Sequence, residues 1–384
     1  MWQQEFIWFF ALFHQEFRKH NAIAFEVLMV LAVAHVFGFY NPKQLADFLE
    51  VPHQQFYTEL KDWSVYHVKK MLLRFMVKQA AEKLKPVMSK SAATRSRAGM
   101  TLSIDNSVMD RFGKLLRCTW SWYSGRYHKV IRGQDLLGIV LTIHNIALPL
   151  HLLFCSKQGR YHTTKADLLI CMLTQLKTAF LREGIDITQL PLTMDSAYVS
   201  QELRERLHQL GFIDIIIAGK GNYVFTIDGQ KWDASTWKKV MMLEDLKWGI
   251  DVPSCRIWGD SPTFGSLILF FFRKSTTRSY YLMNFSQRSL RGAEILHIWK
   301  QHHVIECFWK IMKSIFQIRS MQLQGDGLYT ALLIKVFAYL LALRLKAQGI
   351  FSKLTITEIM RKLRREEDLR DFLVTHFHAP FSIA

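Results

Sequence analysis

Cysteine is sparse in this chain of 384 residues, and none of the five (Cys118, Cys155, Cys171, Cys255, Cys307) stands at C-x-x-C spacing. That argues against a zinc site and against a disulfide framework, and it fits a reducing cytoplasm. Acid is short as well: 32 Asp and Glu face 50 Lys and Arg, a formal charge of +18. A globular chain with that excess repels itself unless it meets a polyanion. Nucleic acid is therefore the first expected partner and an anionic membrane surface the second. The N-terminus, MWQQEFIWFF, has neither the basic start nor the small-residue cleavage site of a signal peptide. NAIAFEVLMVLAVAHVFGF is about long enough to span a bilayer, but Glu26 and His35 interrupt it. A charge at mid-membrane costs about 3 kcal/mol, so a core helix is expected instead. SLILFFFRK and LLIKVFAYLLALRL are too short or too charged to span. The expectation is a cytoplasmic chain with no membrane span. No internal repeat is present. AGKGNY has too few glycines in register for a phosphate loop, which leaves Gly219 and Gly221 as turn formers and Lys220 as a candidate DNA contact.

Half of the residues are apolar, and the length suits two or three domains. Residues 1–85 read as a helical N-terminal DNA-binding domain. Within them, PKQLADFLEVPHQQFYTELKDW places Leu45, Phe48, Leu49, Val51, Phe56 and Leu60 as two short helices broken at VPH, with Pro52 opening the second. As a helix-turn-helix, the second helix would offer Gln54, Gln55, Thr58 and Lys61 to a groove; as two helices of a bundle it would not. Residues 86–100, with Arg95 and Arg97, read as a basic linker: a solvated loop or an arm that follows phosphates.

From Thr101 the pattern changes. TLSIDNS, LLGIVLTIHN, ALPLHLLFC, LPLTMDSAY and FIDIIIAGK are strand candidates. TTKADLLICMLTQLKTAFLREG is an amphipathic helix with a cap at Thr163 or Thr164 and a stop at Gly184, and SQELRERLHQLG is a second helix. The order β-β-β-α-β-α-β indicates an α/β fold with a mixed sheet over residues 101–218. Residues 219–288 are β-rich and read as an insertion. Residues 289–348 are helical, and 349–384 form a polar, charged tail.

HHVIECFWKIMKSIF holds the most informative pattern. With about 100° per residue, Trp299, His302, Glu306 and Lys313 fall within about a 60° arc of one helix. Val304, Ile305, Phe308, Ile311, Met312 and Ile315 crowd the other side. Two further acids, Asp105 and Asp195, stand at or just after strand ends, where open α/β sheets place function. Each alone is more simply a cap or a turn former. Together, three carboxylates from two strands and a helix would suit Mg²⁺, which takes oxygen ligands. Two such ions about 3.5–4 Å apart would serve an in-line displacement at phosphorus. Asp110 rivals Asp105, but Leu102 and Ile104 build a strand directly before Asp105.

In that order Asp105, Asp195 and Glu306 resemble the DDE triad of the cut-and-paste transposases of bacterial insertion sequences. That group carries Tyr-x2-Arg-x3-Glu-x6-Lys. Here Trp299, His302, Glu306 and Lys313 keep the spacing, with Trp for Tyr and His for Arg. MDSAYVS is similar to the family's second-Asp motif, and FQIRSMQLQGDGLYTALLIKVFAYLLALRL to the helical region after the signature. The likeness covers roughly residues 100 to 347. It implies an RNase H-like catalytic core, with a β-rich insertion in the 111-residue step from Asp195 to Glu306. It implies two Mg²⁺ ions on Asp105, Asp195 and Glu306, with Mn²⁺ able to substitute. It implies cleavage at terminal inverted repeats, attack of the freed 3′-OH on target DNA, and an assembly of at least two chains on double-stranded DNA in a bacterial nucleoid. By position, Lys313 would hold a phosphate, and His302 and Trp299 would line the same groove. Histidine binds phosphate more weakly than arginine. Tryptophan can stack on a base but lacks a phenol hydroxyl. The cleavage route, through a hairpin or not, stays open.

Other candidates carry less. WYSGRYHKVIRG, with Arg126, His128, Lys129 and Arg132, suits a DNA-backbone surface or an exposed hairpin. Asp167 and Glu183 belong on a solvated helix. Trp232, Trp237 and Trp248 suit a core, or one of them a stacking site. Two other functions remain open: a DNA-binding regulator without catalysis, and a nuclease that cuts without joining.

Overall fold

The β-branched and leucine-rich runs of the chain's middle are strands, and helices flank them on both sides. In the computed structural model the described residues are 2–17, 22–61, 65–89, 99–111, 116–125, 127–157, 162–243, 254–273, 279–319, 327–347, 351–363 and 369–376. The helices are α1 (Trp2–Phe17), α2 (Ala22–Val36), α3 (Pro42–Leu49), α4 (His53–Lys61), α5 (Val65–Met88), α6 (Lys165–Arg182), α7 (Gln201–Gln209), α8 (Ala234–Leu243), α9 (Gly292–Ser314), α10 (Gly327–Ala347), α11 (Ile356–Leu363) and α12 (Leu369–His376). The strands are β1 (Thr101–Met109), β2 (Thr119–Ser124), β3 (Lys129–Ile143), β4 (Ile146–Phe154), β5 (Leu192–Met194), β6 (Ile215–Ala218), β7 (Val224–Ile227), β8 (Gln230–Asp233), β9 (Ser254–Ser261), β10 (Gly265–Arg273) and β11 (Ser279–Asn284).

The chain divides into two compact units. One comprises Met1–Phe75, Val108–Asp135 and Cys307–Ala384; the other Met76–Ser107 and Leu136–Glu306.

The first unit is built on α10. Both faces of this helix are apolar, and it is buried over most of its length among α1, α2, α4 and α11. By length and hydropathy it could cross a bilayer, yet 89% of its apolar window is buried within the fold. Rings of Trp2, Phe6, Phe37 and Phe372 close the same core edge to face. Asn41 caps α3, which starts on Pro42, and Glu50 ends it at φ 60. Strands β2 and β3 pair antiparallel. Gly133 is required there because a Cβ would stand 2.0 Å from the Met109 carbonyl oxygen.

Lys335 stands in the middle of α10 with no solvent exposure. Its Nζ donates to the Phe316 carbonyl at 2.9 Å and lies 3.3 Å from His35 Nε2. His35 Nδ1 lies 2.6 Å from the Leu31 carbonyl oxygen, so the ring donates there and Nε2 is the acceptor for lysine. Burial pushes Lys335 down to about 7 from 10.5, and Arg111 adds to the shift. The unfolded chain keeps this proton to higher pH, so between those values it binds more protons than the folded one, and stability rises with pH. Urea midpoints should therefore increase from about pH 7 to pH 9.5, short of the window where tyrosines ionise. Lys335→Met should flatten that slope, and an unchanged slope would contradict the assignment.

The second unit holds the sheet. Its order runs β3-β1-β5-β6-β11-β10-β9-β7-β8, with β4 paired to β3. Strands β3 and β4 are antiparallel, and β1, β5 and β6 are parallel to one another. The sequence β4-β3-β1-β5-β6 is an RNase H-like order, as expected. The hairpin between β3 and β4 turns on His144 and Asn145, both at positive φ, which suits a two-residue loop. The insertion continues the same sheet through the antiparallel pair β6 and β11. Thr164 caps α6, its hydroxyl accepting from Asp167 N at 3.1 Å, and Gly184 at φ +74 ends it. Ile295 and Ile298 seat α9 on Ile216, Ile268, Phe270 and Leu282.

Candidate active site

Strands β1 and β5 lose their cover at the same level. Residues 101–104 and 192–194 are buried, whereas Asp105 is half-buried and Asp195 exposed. The parallel register pairs Ser103 with Thr193 and Ile104 with Met194. One further step sets Asp105 and Asp195 side by side on neighbouring strands, whose backbones lie about 4.8 Å apart. Alternation puts both carboxylates on the face that carries Ser103 and Thr193.

Glu306 comes to the same face by way of α9. One turn earlier, His302 Nδ1 lies 3.0 Å from Thr193 Oγ1. Burial pushes His302 down to about 4, and Glu306 and Asp195 act on it in the opposite sense. Both carboxylates are thus close enough to act on one imidazole, which is neutral at pH 7.

Each acid has a local partner. Asp105 Oδ1 accepts from Asn106 N at 2.7 Å. Asp195 Oδ1 accepts from Ser196 N at 2.6 Å and caps a short 3-10 turn. Glu306 Oε2 lies 2.9 Å from His303 Nδ1. As placed, no group of three or more His, Cys, Asp or Glu among the described residues is arranged to hold a metal ion. The donor set itself suits Mg²⁺, being three oxygen ligands.

His302 departs from the sequence expectation. The family resemblance would have it line a DNA groove, but it is 5% exposed and bonded to a strand hydroxyl. Helical angle ranks the residues around α9 but does not tell which arcs are covered, and here both the isoleucine side and the Gln301–His302 side are. Trp299 stacks on His302, ring centroids 4.6 Å apart and 12° inclined, and packs against the Ile298 cluster. Lys313 is half-buried further along α9, beyond the division at Glu306.

Asp110, the rival acid, lies in the first unit, where it accepts from Tyr127 Oη at 2.7 Å and pairs with Arg319. Gln54, Lys129 and Lys220 are exposed. Gln55 and Lys61 lie on α4, but their side chains are outside the described residues, as are Arg95, Arg97, Arg126 and Trp248 altogether. Asp167 pairs with Arg206 and Glu183 with Lys85. Trp237 is buried and donates to Phe225 O at 3.1 Å, with Trp232 against it. Gly219 and Gly221 serve space: a Cβ would meet the Tyr281 ring at 2.0 Å and Ser235 Oγ at 2.4 Å.

Three neighbours of the acids escaped the sequence reading. Tyr198 Oη donates to Asn106 Oδ1 at 2.9 Å and ties the turn after β5 to β1. Tyr223, from the insertion, donates to the Ser196 carbonyl at 3.0 Å; burial raises its pKa, and Asp195 adds to the rise. Thr193 is buried with its hydroxyl bonded. A signal for the last existed: in LSID and LTMD a small polar residue stands two before each aspartate.

No family model matches this chain, and no curated protein matches it. Among solved structures, the chain is similar to one described as a cryo-EM structure of piggyBac transposase synaptic complex with hairpin DNA. The identity is 12% and the TM-score 0.48, over 94% of this chain and 74% of that one.

Proposed function

We propose that this chain is a DDE-type transposase, which cleaves DNA at the ends of its own element with divalent metal and joins them to target DNA. The reading is supported by Asp105 and Asp195 on the adjacent parallel strands β1 and β5 and by the action of both Asp195 and Glu306 on His302. The signature spacing and the charge of +18 add to it. Asp105, Asp195 and Glu306 would hold Mg²⁺, which when bound supplies Lewis-acid polarisation of the phosphate and a more acidic attacking water or 3′-OH. The chain's own part is to orient the duplex. Lys313 meets a phosphate, and Lys129, Lys220, Arg126, Arg95 and Arg97 follow the backbone. The helices α3 and α4 read the end sequence, Gln54, Gln55 and Lys61 foremost. At least two chains act on paired ends.

The deciding experiment incubates purified protein with plasmid carrying the DNA that flanks this reading frame, with Mg²⁺, Mn²⁺ or chelator. Metal-dependent cuts at inverted repeats, followed by joining of pre-cut ends, are expected. Cuts without joining would mean a nuclease. Tight binding without cuts would mean a DNA-binding regulator, a reading favoured by the engagement of Glu306 with His303. Binding should also weaken by about 10³-fold or more between 50 and 200 mM salt, because each neutralised phosphate releases counterions. A flat salt titration in gel shift would count against a phosphate-tracking surface.

A further inference from the structure

Beneath the three acids lies a second layer that repeats their placement. Ser103 stands two residues before Asp105 on β1, Thr193 two before Asp195 on β5, and His302 one helical turn before Glu306 on α9. The three side chains are linked in series: Ser103 Oγ lies 3.0 Å from Thr193 Oγ1, which lies 3.0 Å from His302 Nδ1. Ser103 and Thr193 have no exposure, and His302 has 5%. The Trp299 ring stacked on His302 closes the outer side.

We propose that Ser103, Thr193 and His302 form a buried positioning relay that sets the relative register of β1, β5 and α9, and through it the metal affinity of Asp105, Asp195 and Glu306. This rests on the metal-dependent reading above. Buried polar groups without partners are costly, so a slip of either strand or of α9 would strand at least two of these groups. The carboxylates above are half-buried or exposed, and their bonds run to near neighbours in the chain (Asn106, Ser196, His303), whereas those of the relay join different elements. Thr193 is the bridge, since only its hydroxyl meets both neighbours, and each hydrogen bond of the relay joins two acid-bearing elements.

The test is calorimetric titration of Mn²⁺ into the metal-free full-length chain, with thermal unfolding followed in parallel. Asp105→Asn defines the binding that belongs to the acids. His302→Phe keeps a ring against Trp299 without the hydrogen bond, and Thr193→Val keeps shape without the hydroxyl. Each should weaken acid-dependent Mn²⁺ binding by about 10–100-fold, as loss of an outer-shell partner does. The double variant should be no worse than the more severe single one, because both remove the same bond. Thr193→Ser should restore wild-type affinity. In cleavage, the metal concentration for half-maximal rate should rise more than the maximal rate falls. Folded variants that bind Mn²⁺ like wild type would overturn the relay alone. A wild-type chain without acid-dependent Mn²⁺ binding would overturn the metal-site reading, and the relay with it. Should His302→Phe not fold, Thr193→Val measures the same bond.

Discussion

Glu306→Gln should abolish metal-dependent DNA cleavage, by at least about 10³-fold, and leave DNA binding within a small factor of wild type. The substitution keeps shape and an acceptor oxygen toward His303, 2.9 Å away in the native chain. It removes the charge that a divalent ion needs from this helix. Metal assistance stabilises the transition state by several kcal/mol, and each 1.36 kcal/mol is tenfold in rate. Asp105→Asn and Asp195→Asn should behave alike, since amide oxygens still accept from Asn106 N and Ser196 N. Residues that act as a unit are not additive, so the triple variant should be scarcely worse than any single one. Nicking rates and gel shifts on the same preparations make the comparison. Robust nicking by the Glu306→Gln protein would remove the DDE assignment.

Arg288→Ala should destabilise the second unit by about 3 kcal/mol, toward the lower end of the range for breaking a buried ion pair. Asp214 has no exposure, and its carboxylate accepts from Arg288 Nε at 2.6 Å and from a second guanidinium nitrogen. Without the arginine a charge is left buried without its cation. The side chain of Arg288 is 40% exposed, so water softens the loss. Replacing both partners by leucine should recover much of the stability, because the penalty belongs to the orphaned carboxylate rather than to the missing attraction. Urea unfolding of the two singles and the double variant measures this, and a single variant as stable as wild type would refute it. Function should follow stability here. Asp214 precedes β6, its carbonyl accepts from Leu192 N of β5, and Gln287 N donates to Ile213 O just before α9 begins. The pair thus clips the exit of the insertion to the strand next to Asp195 and to the approach of the Glu306 helix. Loosening it should lower cleavage even where the protein stays folded.

Much of the architecture was legible because it depends on near neighbours. Caps and stops are local chemistry, so Thr164 and Gly184 bound their helix as read, and GLYTALLIKVFAYLLALRLKA is one continuous helix. Asp195 stands just after β5 as read, whereas β1 runs on past Asp105 to Met109, so the first acid lies in mid-strand and not at the strand end expected from the sequence pattern. The mixed sheet and its β-rich extension followed from the alternation of patterns along the chain.

By itself, then, the sequence determined the elements, the basic charge, the spacing of Glu306 from Lys313 and the candidate acids. Only the tertiary structure decided what each face of α9 meets. A helical arc gives angles within one element, whereas burial depends on which other elements arrive. His302 bonds Thr193, so a residue that the family resemblance would have line a DNA groove is a buried histidine. Tyr281 and Ser235 occupy the space a side chain would take at Gly219 and Gly221, so these glycines answer to partners far away in the chain. The N-terminal helices likewise share one unit with α10, α11 and α12, a pairing of distant segments that hydrophobic burial rewards but no local pattern encodes.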